Sequence, residues 1–161
     1  MRILISRLDP KTHRFVVERP PHPTIDVRLE TRSLLLHDLA HYAVEGHLAT
    51  EEGFYGRLAS GASLEELRGD LPEEVQDALM MIERRVAMLQ TAFKKRRPTA
   101  DPALQRLREV WGAWSKIRQG QALELPWPAG PPRLTEVAAA NADQRQARTG
   151  RAQPNHPSRQ K

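Results

Sequence analysis

The chain has no cysteine. That excludes a disulfide scaffold, a thiolate-ligated metal centre of the zinc-finger kind and a cysteine nucleophile. Aromatic residues are scarce, 5% of 161 residues, and with 39% hydrophobic residues overall they predict a modest core. No apolar run approaches the roughly 20 residues needed to span a bilayer. The opening stretch, Met1 to Arg7, is too short in apolar residues for a secretory signal. A cytoplasmic protein is therefore expected. The sequence also lacks both G-x-G-x-x-G and G-x-x-x-x-G-K-[ST], so no nucleotide-binding loop is predicted. Ser60 and Ser63 read as turn and cap residues rather than nucleophiles.

Proline is plentiful at 13 residues, and the charge is uneven. Residues 141–161 carry Arg145, Arg148, Arg151, Arg159 and Lys161 against Asp143, a net of +4 out of +5 for the whole chain. This stretch has no aliphatic side chain larger than Ala and cannot bury enough surface to offset the entropy of ordering. The expected organisation is a single α+β domain over 1–132 and a basic, Pro/Gln/Arg-rich disordered tail over 133–161. Such a tail allows weak, nonspecific contact with nucleic acid or acidic partners. The run Lys94-Lys95-Arg96-Arg97 reads as favourable charge at the negative end of a helix.

Hydrophobic periodicity gives the fold class. Apolar residues over 2–8 and 14–18 flank a break at Asp9-Pro10-Lys11-Thr12-His13 and predict a hairpin; Ile25, Val27 and Leu29 alternate as a third short strand. After Thr31, a plausible N-cap, the period becomes helical to about residue 49. Ser63-Leu64-Glu65-Glu66 has the form of a capping box. Asp70 and Asp101 each precede a helical start with proline nearby, predicting an antiparallel helix pair over 71–95 and 102–119. The expectation is a small N-terminal antiparallel sheet followed by three main helices. Proline dominates from Leu125 to Pro132, where Trp127 is expected to lie against the body.

The informative stretch is His37-Asp38-Leu39-Ala40-His41-Tyr42-Ala43-Val44-Glu45-Gly46-His47, which holds three of the six histidines. On a helix at about 100° per residue, His37, His41, Glu45 and Asp38 share one arc of about 100°. Leu35, Leu36, Leu39, Tyr42 and Ala43 take the opposite side. Histidines at i and i+4 stack one turn apart and can hold one metal ion. The Cα atoms of His37 and Glu45 would be about 12 Å apart, so Glu45 suits a supporting hydrogen bond to the other ring nitrogen of His41. The third ligand is expected to be His47, if the helix breaks at Gly46, or else a carboxylate from another helix. Zinc or another divalent metal suits such donors, and Asp38 is placed to orient or deprotonate a bound water.

The spacing of His37, Asp38, His41 and His47 resembles the H-E-x-x-H-x-x-G-x-x-H pattern of zincin and metzincin metalloproteases. Asp38 stands where that pattern has its general-base Glu, and Val44 where it has Gly. Leu35-Leu36-His37-Asp38-Leu39-Ala40-His41 also resembles the H-D core of HD-domain phosphohydrolases. That resemblance implies divalent metal at the His-Asp pair, an earlier His (His13 or His22) and a later Asp (Asp70 or Asp77). The H-D-L-x-H stretch followed by Gly53-Phe54-Tyr55-Gly56 is similar to that of an uncharacterised family of small bacterial proteins, which implies no function. Two functions are expected from these features. One is a divalent-metal site on helix 31–49, with a metal-dependent hydrolase as its sharper form. The other is a non-enzymatic interaction module, in which the helix pair and the Gly-Phe-Tyr-Gly loop bind a partner protein and the histidines are structural.

Overall fold

Two-residue alternation shapes the N-terminal third. In a computed structural model describing residues 1–137 other than 97, 99 and 129, three antiparallel strands follow one another: β1 (Arg2–Arg7), β2 (Thr12–Arg19) and β3 (His22–Glu30). Ile3, Ile5, Phe15 and Val17 are buried on one face of this sheet, while Arg2, Ser6, Arg14 and Glu18 take the other. The first turn is held by Asp9, whose carboxylate accepts from the N–H groups of Lys11 and Thr12 at 2.7 and 2.9 Å. This tight turn brings His13 out of the expected break and into β2, where it is buried.

The helices cover the buried face. One wide π-helical turn, Thr31–Leu35, leads into α1 (Leu36–Leu48). Its cap is Glu30, whose carboxylate accepts from the Ser33 N–H at 3.1 Å, so the expected Thr31 cap is displaced by one residue. A short α2 (Phe54–Ala59) follows. The capping box forms as read: Glu66 N–H donates to Ser63 Oγ at 3.1 Å and Ser63 N–H to Glu66 at 2.6 Å. Next come α3 (Glu73–Lys94) and α4 (Pro102–Ser115), the expected helix pair, with Phe93 and Trp111 meeting edge to face at 5.5 Å. Asp101 caps α4 through Ala103 N–H at 2.9 Å, whereas Asp70 does not cap α3, which begins directly behind Pro72.

The sequence reading passes over two strands. β4 (Gln121–Pro126) pairs antiparallel with β1, and β5 (Arg133–Glu136) pairs with β4, giving the order β3-β2-β1-β4-β5. Helix α4 stops at Ser115 instead of 119. Chain reversal follows, and Leu123 and Leu125 complete the inner face. Residues 133–136, which the sequence pattern assigns to the tail, belong to the sheet. The basic stretch 141–161 and Arg97 lie outside the described residues. Trp127 packs as expected, its ring 5.6 Å from Tyr55 and 6.2 Å from Tyr42. The α+β class stands, with a larger sheet. Among the described residues no helix is long and apolar enough to cross a membrane.

Candidate metal centre

An amphipathic helix has one wet side, and α1 has very little of one. Leu39 through Glu45 are buried without interruption, His41 and Glu45 included. Helices α3 and α4 pack on α1, and α2 closes over Glu45. Apart from the half-buried His37, the polar arc read from the sequence is therefore interior, and each charged group in it needs a partner.

Glu45 finds four. Its Oε1 accepts from His41 Nδ1 at 2.8 Å and from Phe54 N–H at 3.1 Å; its Oε2 accepts from the N–H groups of Tyr55 and Gly56 at 2.8 and 3.4 Å. This accounts for the Gly-Phe-Tyr-Gly segment. A Cβ on Gly53 would sit 2.3 Å from the Glu45 carboxyl carbon, and one on Gly56 would meet the Glu51 carbonyl oxygen at 2.5 Å. Tyr55 is fully buried and donates its hydroxyl to the Asp38 carbonyl at 3.2 Å. The segment is thus an interior support for α1, with Gly53, Tyr55 and Gly56 buried.

The other ring nitrogen of His41, Nε2, lies 3.0 Å from Glu83 Oε1 on α3, and His37 Nε2 is 3.8 Å from the same oxygen. The two imidazoles meet edge to face with centroids 4.6 Å apart. His37, His41 and Glu83 form a group that could hold a metal ion, with one donor atom of each within 4.8 Å of the others. Tetrahedral bonds of zinc length put donor atoms about 3.3 Å apart. The separations of 3.0 and 3.8 Å bracket that value, and His37 and Glu83 are exposed enough to turn inward. Glu45 then completes a carboxylate–histidine–metal chain from the far side of His41.

The electrostatics describe the same site with a proton in place of a metal. Burial works against charge on His41, but hydrogen bonds to Glu45 and Glu83 outweigh it, and its pKa rises from 6.5 to about 9. The hydrogen bond from His41 holds Glu83 below its usual value. Burial lowers His37, and the neighbouring His41 lowers it further. For Asp38, burial raises the pKa from 3.8 to about 7, partly offset by His41.

The remaining expected residues fall elsewhere. Asp38 turns toward His13, with its Oδ2 3.9 Å from His13 Nε2; neither atom has a hydrogen-bond partner among the described residues. His47 is exposed, because α1 continues through Gly46 to Leu48 and leaves it on another side from His37 and His41. His22 lies against Gly61. Asp70 and Asp77 are exposed, and neither belongs to the three-residue group. Glu83 is the residue that sequence reasoning did not name. It borders the apolar stripe of α3, beside buried Ile82, and only the open alternative of a carboxylate from another helix anticipated it.

The group opens on a cleft of about 250 Å³. His37, Asp38, His41 and Glu83 form its polar wall; Phe15, Val27, Leu29, Leu34, Phe54, Leu64 and Leu67 form the apolar one, with Arg68 beside them. In comparisons with known proteins, no family model, no curated protein and no solved structure matches the chain.

Proposed function

We propose that this protein binds one divalent metal ion, zinc by donor chemistry, through His37, His41 and Glu83, and uses it in hydrolysis of a small molecule held in the adjoining cleft. The observation that carries the reading is the convergence of two imidazoles from α1 and one carboxylate from α3 on the wall of an open cleft. Two histidines and one glutamate are a recurrent catalytic zinc set, because three protein ligands leave a fourth position for water or substrate. A structural site would close that position with a fourth side chain. Zinc would supply Lewis acidity at the cleft wall. Glu45 fixes the orientation of His41 and accepts its Nδ1 proton. Asp38, buried on the same wall and one residue from His37, is the group we assign to carrying a proton during the reaction. His47 has no role in this arrangement.

The test is metal content and affinity in untagged protein. The native chain should take up about one equivalent of zinc, and His37→Ala and Glu83→Ala should each weaken binding by at least about tenfold. Both positions are partly exposed, so the variants should fold. Uptake should release protons, since the metal replaces the proton on His41 Nε2. Failure of the native protein to load zinc at micromolar concentration would falsify the metal reading.

A further inference from the structure

A cleft beside a reactive centre selects its ligand with the groups the centre does not use. Here these are an apolar wall, including Leu29, Leu34, Phe54, Leu64 and Leu67, and one cation, Arg68. Arg68 ends the short turn Glu66–Arg68. Its guanidinium makes no hydrogen bond or ion pair with any described residue. The neighbouring Arg19 shows how this fold places an arginine for structure: it is buried, donating to the carbonyls of Pro23, Leu58 and Ala62. Arg68 has no such task. A guanidinium presents its donors in a planar fork that matches a carboxylate.

We propose that the cleft takes a small amphipathic carboxylate, its apolar body on the leucine and phenylalanine wall and its carboxylate on Arg68. Volume sets the size. An apolar cavity of about 150 Å³ accommodates benzene, so about 250 Å³ suits one ring or a branched chain extended by a few atoms. The inference builds on the proposed metal site only in supplying a substrate class for it; binding at Arg68 does not itself require the metal. The hydrolysable bond of such a substrate would face His37, His41 and Glu83 while Arg68 holds its anionic end.

Calorimetric titration tests this with 3-phenylpropanoate, 3-phenylpropanol and 3-phenylpropylamine, which share one apolar body and differ in charge. Each is titrated into native protein treated with chelator, into zinc-supplemented protein and into Arg68→Ala. Arg68 is exposed and has no side-chain partner among the described residues, so its removal should leave the urea midpoint unchanged. The carboxylate should bind native protein about tenfold or more tighter than the alcohol, with the amine weakest, and Arg68→Ala should erase that preference. The preference should persist in chelator-treated protein, so a failed metal reading would leave it standing. Equal affinities for all three compounds, or no binding by any, would overturn the proposal. So would a carboxylate preference that disappears with zinc removal and survives Arg68→Ala, because the anion would then sit on the metal.

Discussion

Two buried histidines, His41 and His13, have opposite surroundings. His41 is bonded at both ring nitrogens, to Glu45 at 2.8 Å and to Glu83 at 3.0 Å. His13 has a weak contact at Nδ1, 3.3 Å from Thr31 Oγ1, and its Nε2 has no partner. Burial acts on both. It lowers the pKa of His13 without opposition, while the carboxylates around His41 reverse its sign. Burial alone therefore does not mark a functional histidine in this fold. The difference lies in acidic partners brought by α1 and α3; in the proposed metal site, the proton they hold on His41 is the one a metal would replace.

The largest effect should come from removing the support behind His41. Both oxygens of Glu45 accept from donors: His41 and Phe54 on one, Tyr55 and Gly56 on the other. Glu45→Ala strands these buried donors and should cost about 3–5 kcal/mol of unfolding free energy. Glu45→Gln is the sharper test. Its amide NH2 must face donors on one side or the other, so it should still cost about 2 kcal/mol or more. Urea unfolding followed by circular dichroism measures both. A glutamine variant as stable as the native protein would mean that Glu45 does not organise this region.

This network also marks how far the sequence could be read. Local signals were legible: alternation in β1 to β3, the Ser63–Glu66 box, the Asp101 cap, and the i, i+4 pairing of His37 with His41 and of His41 with Glu45. Each depends on residues a few positions apart. Tertiary placement was not legible. β4 pairs with β1 across more than a hundred residues, and its final Pro126 made the strand look like part of a proline-rich link. Glu83 lies 42 residues from His41, on a helix whose pattern reports only its core-facing stripe. The burial of the polar arc of α1 was not legible either, because helical phase gives direction without saying what packs there. Gly53 and Gly56 read as loop glycines for the same reason; the close approach of Glu45 and of the Glu51 carbonyl explains them only in three dimensions.

A smaller effect, but one with a definite sign, is expected from pH. The folded-state pKa of His41, about 9, is above the ordinary imidazole value of 6.5. Below about pH 6.5 both folded and unfolded states carry the proton, and the stabilisation is complete. Between there and about pH 9 the unfolded chain gives up its proton first, and the stabilisation is lost. Asp38 acts in the same direction at lower pH, since its folded-state value is raised from 3.8 to about 7; the protonated form is favoured by folding, and that contribution is lost as pH rises through this range. Metal-free protein should therefore become less stable from neutral to alkaline pH, read as a falling urea midpoint. Zinc should oppose the trend, because it competes with the proton for His41 Nε2. A midpoint that rises between about pH 6.5 and 9 without metal would contradict the carboxylate pairing of His41.

The smallest effect should be at His13, and it tests the other half of the comparison. His13 is fully buried in β2, and its ring meets Trp114 edge to face at 6.2 Å. Phenylalanine preserves that ring contact and removes a buried nitrogen that has no partner. Exchanging a poorly satisfied polar group for an apolar one of similar shape is close to neutral, because no hydrogen bond of consequence is lost. The Thr31 hydroxyl is only partly buried and can turn to solvent. Asp38 Oδ2 is already without a partner, so His13→Phe does not create a new orphan there. The substitution should change unfolding free energy by less than about 1 kcal/mol and leave zinc affinity intact. His41→Phe, by contrast, removes the donor to Glu45 and Glu83 and should cost clearly more, with loss of zinc uptake. Equal costs for the two phenylalanine variants would show that His13 has a partner in solution that its geometry here does not provide.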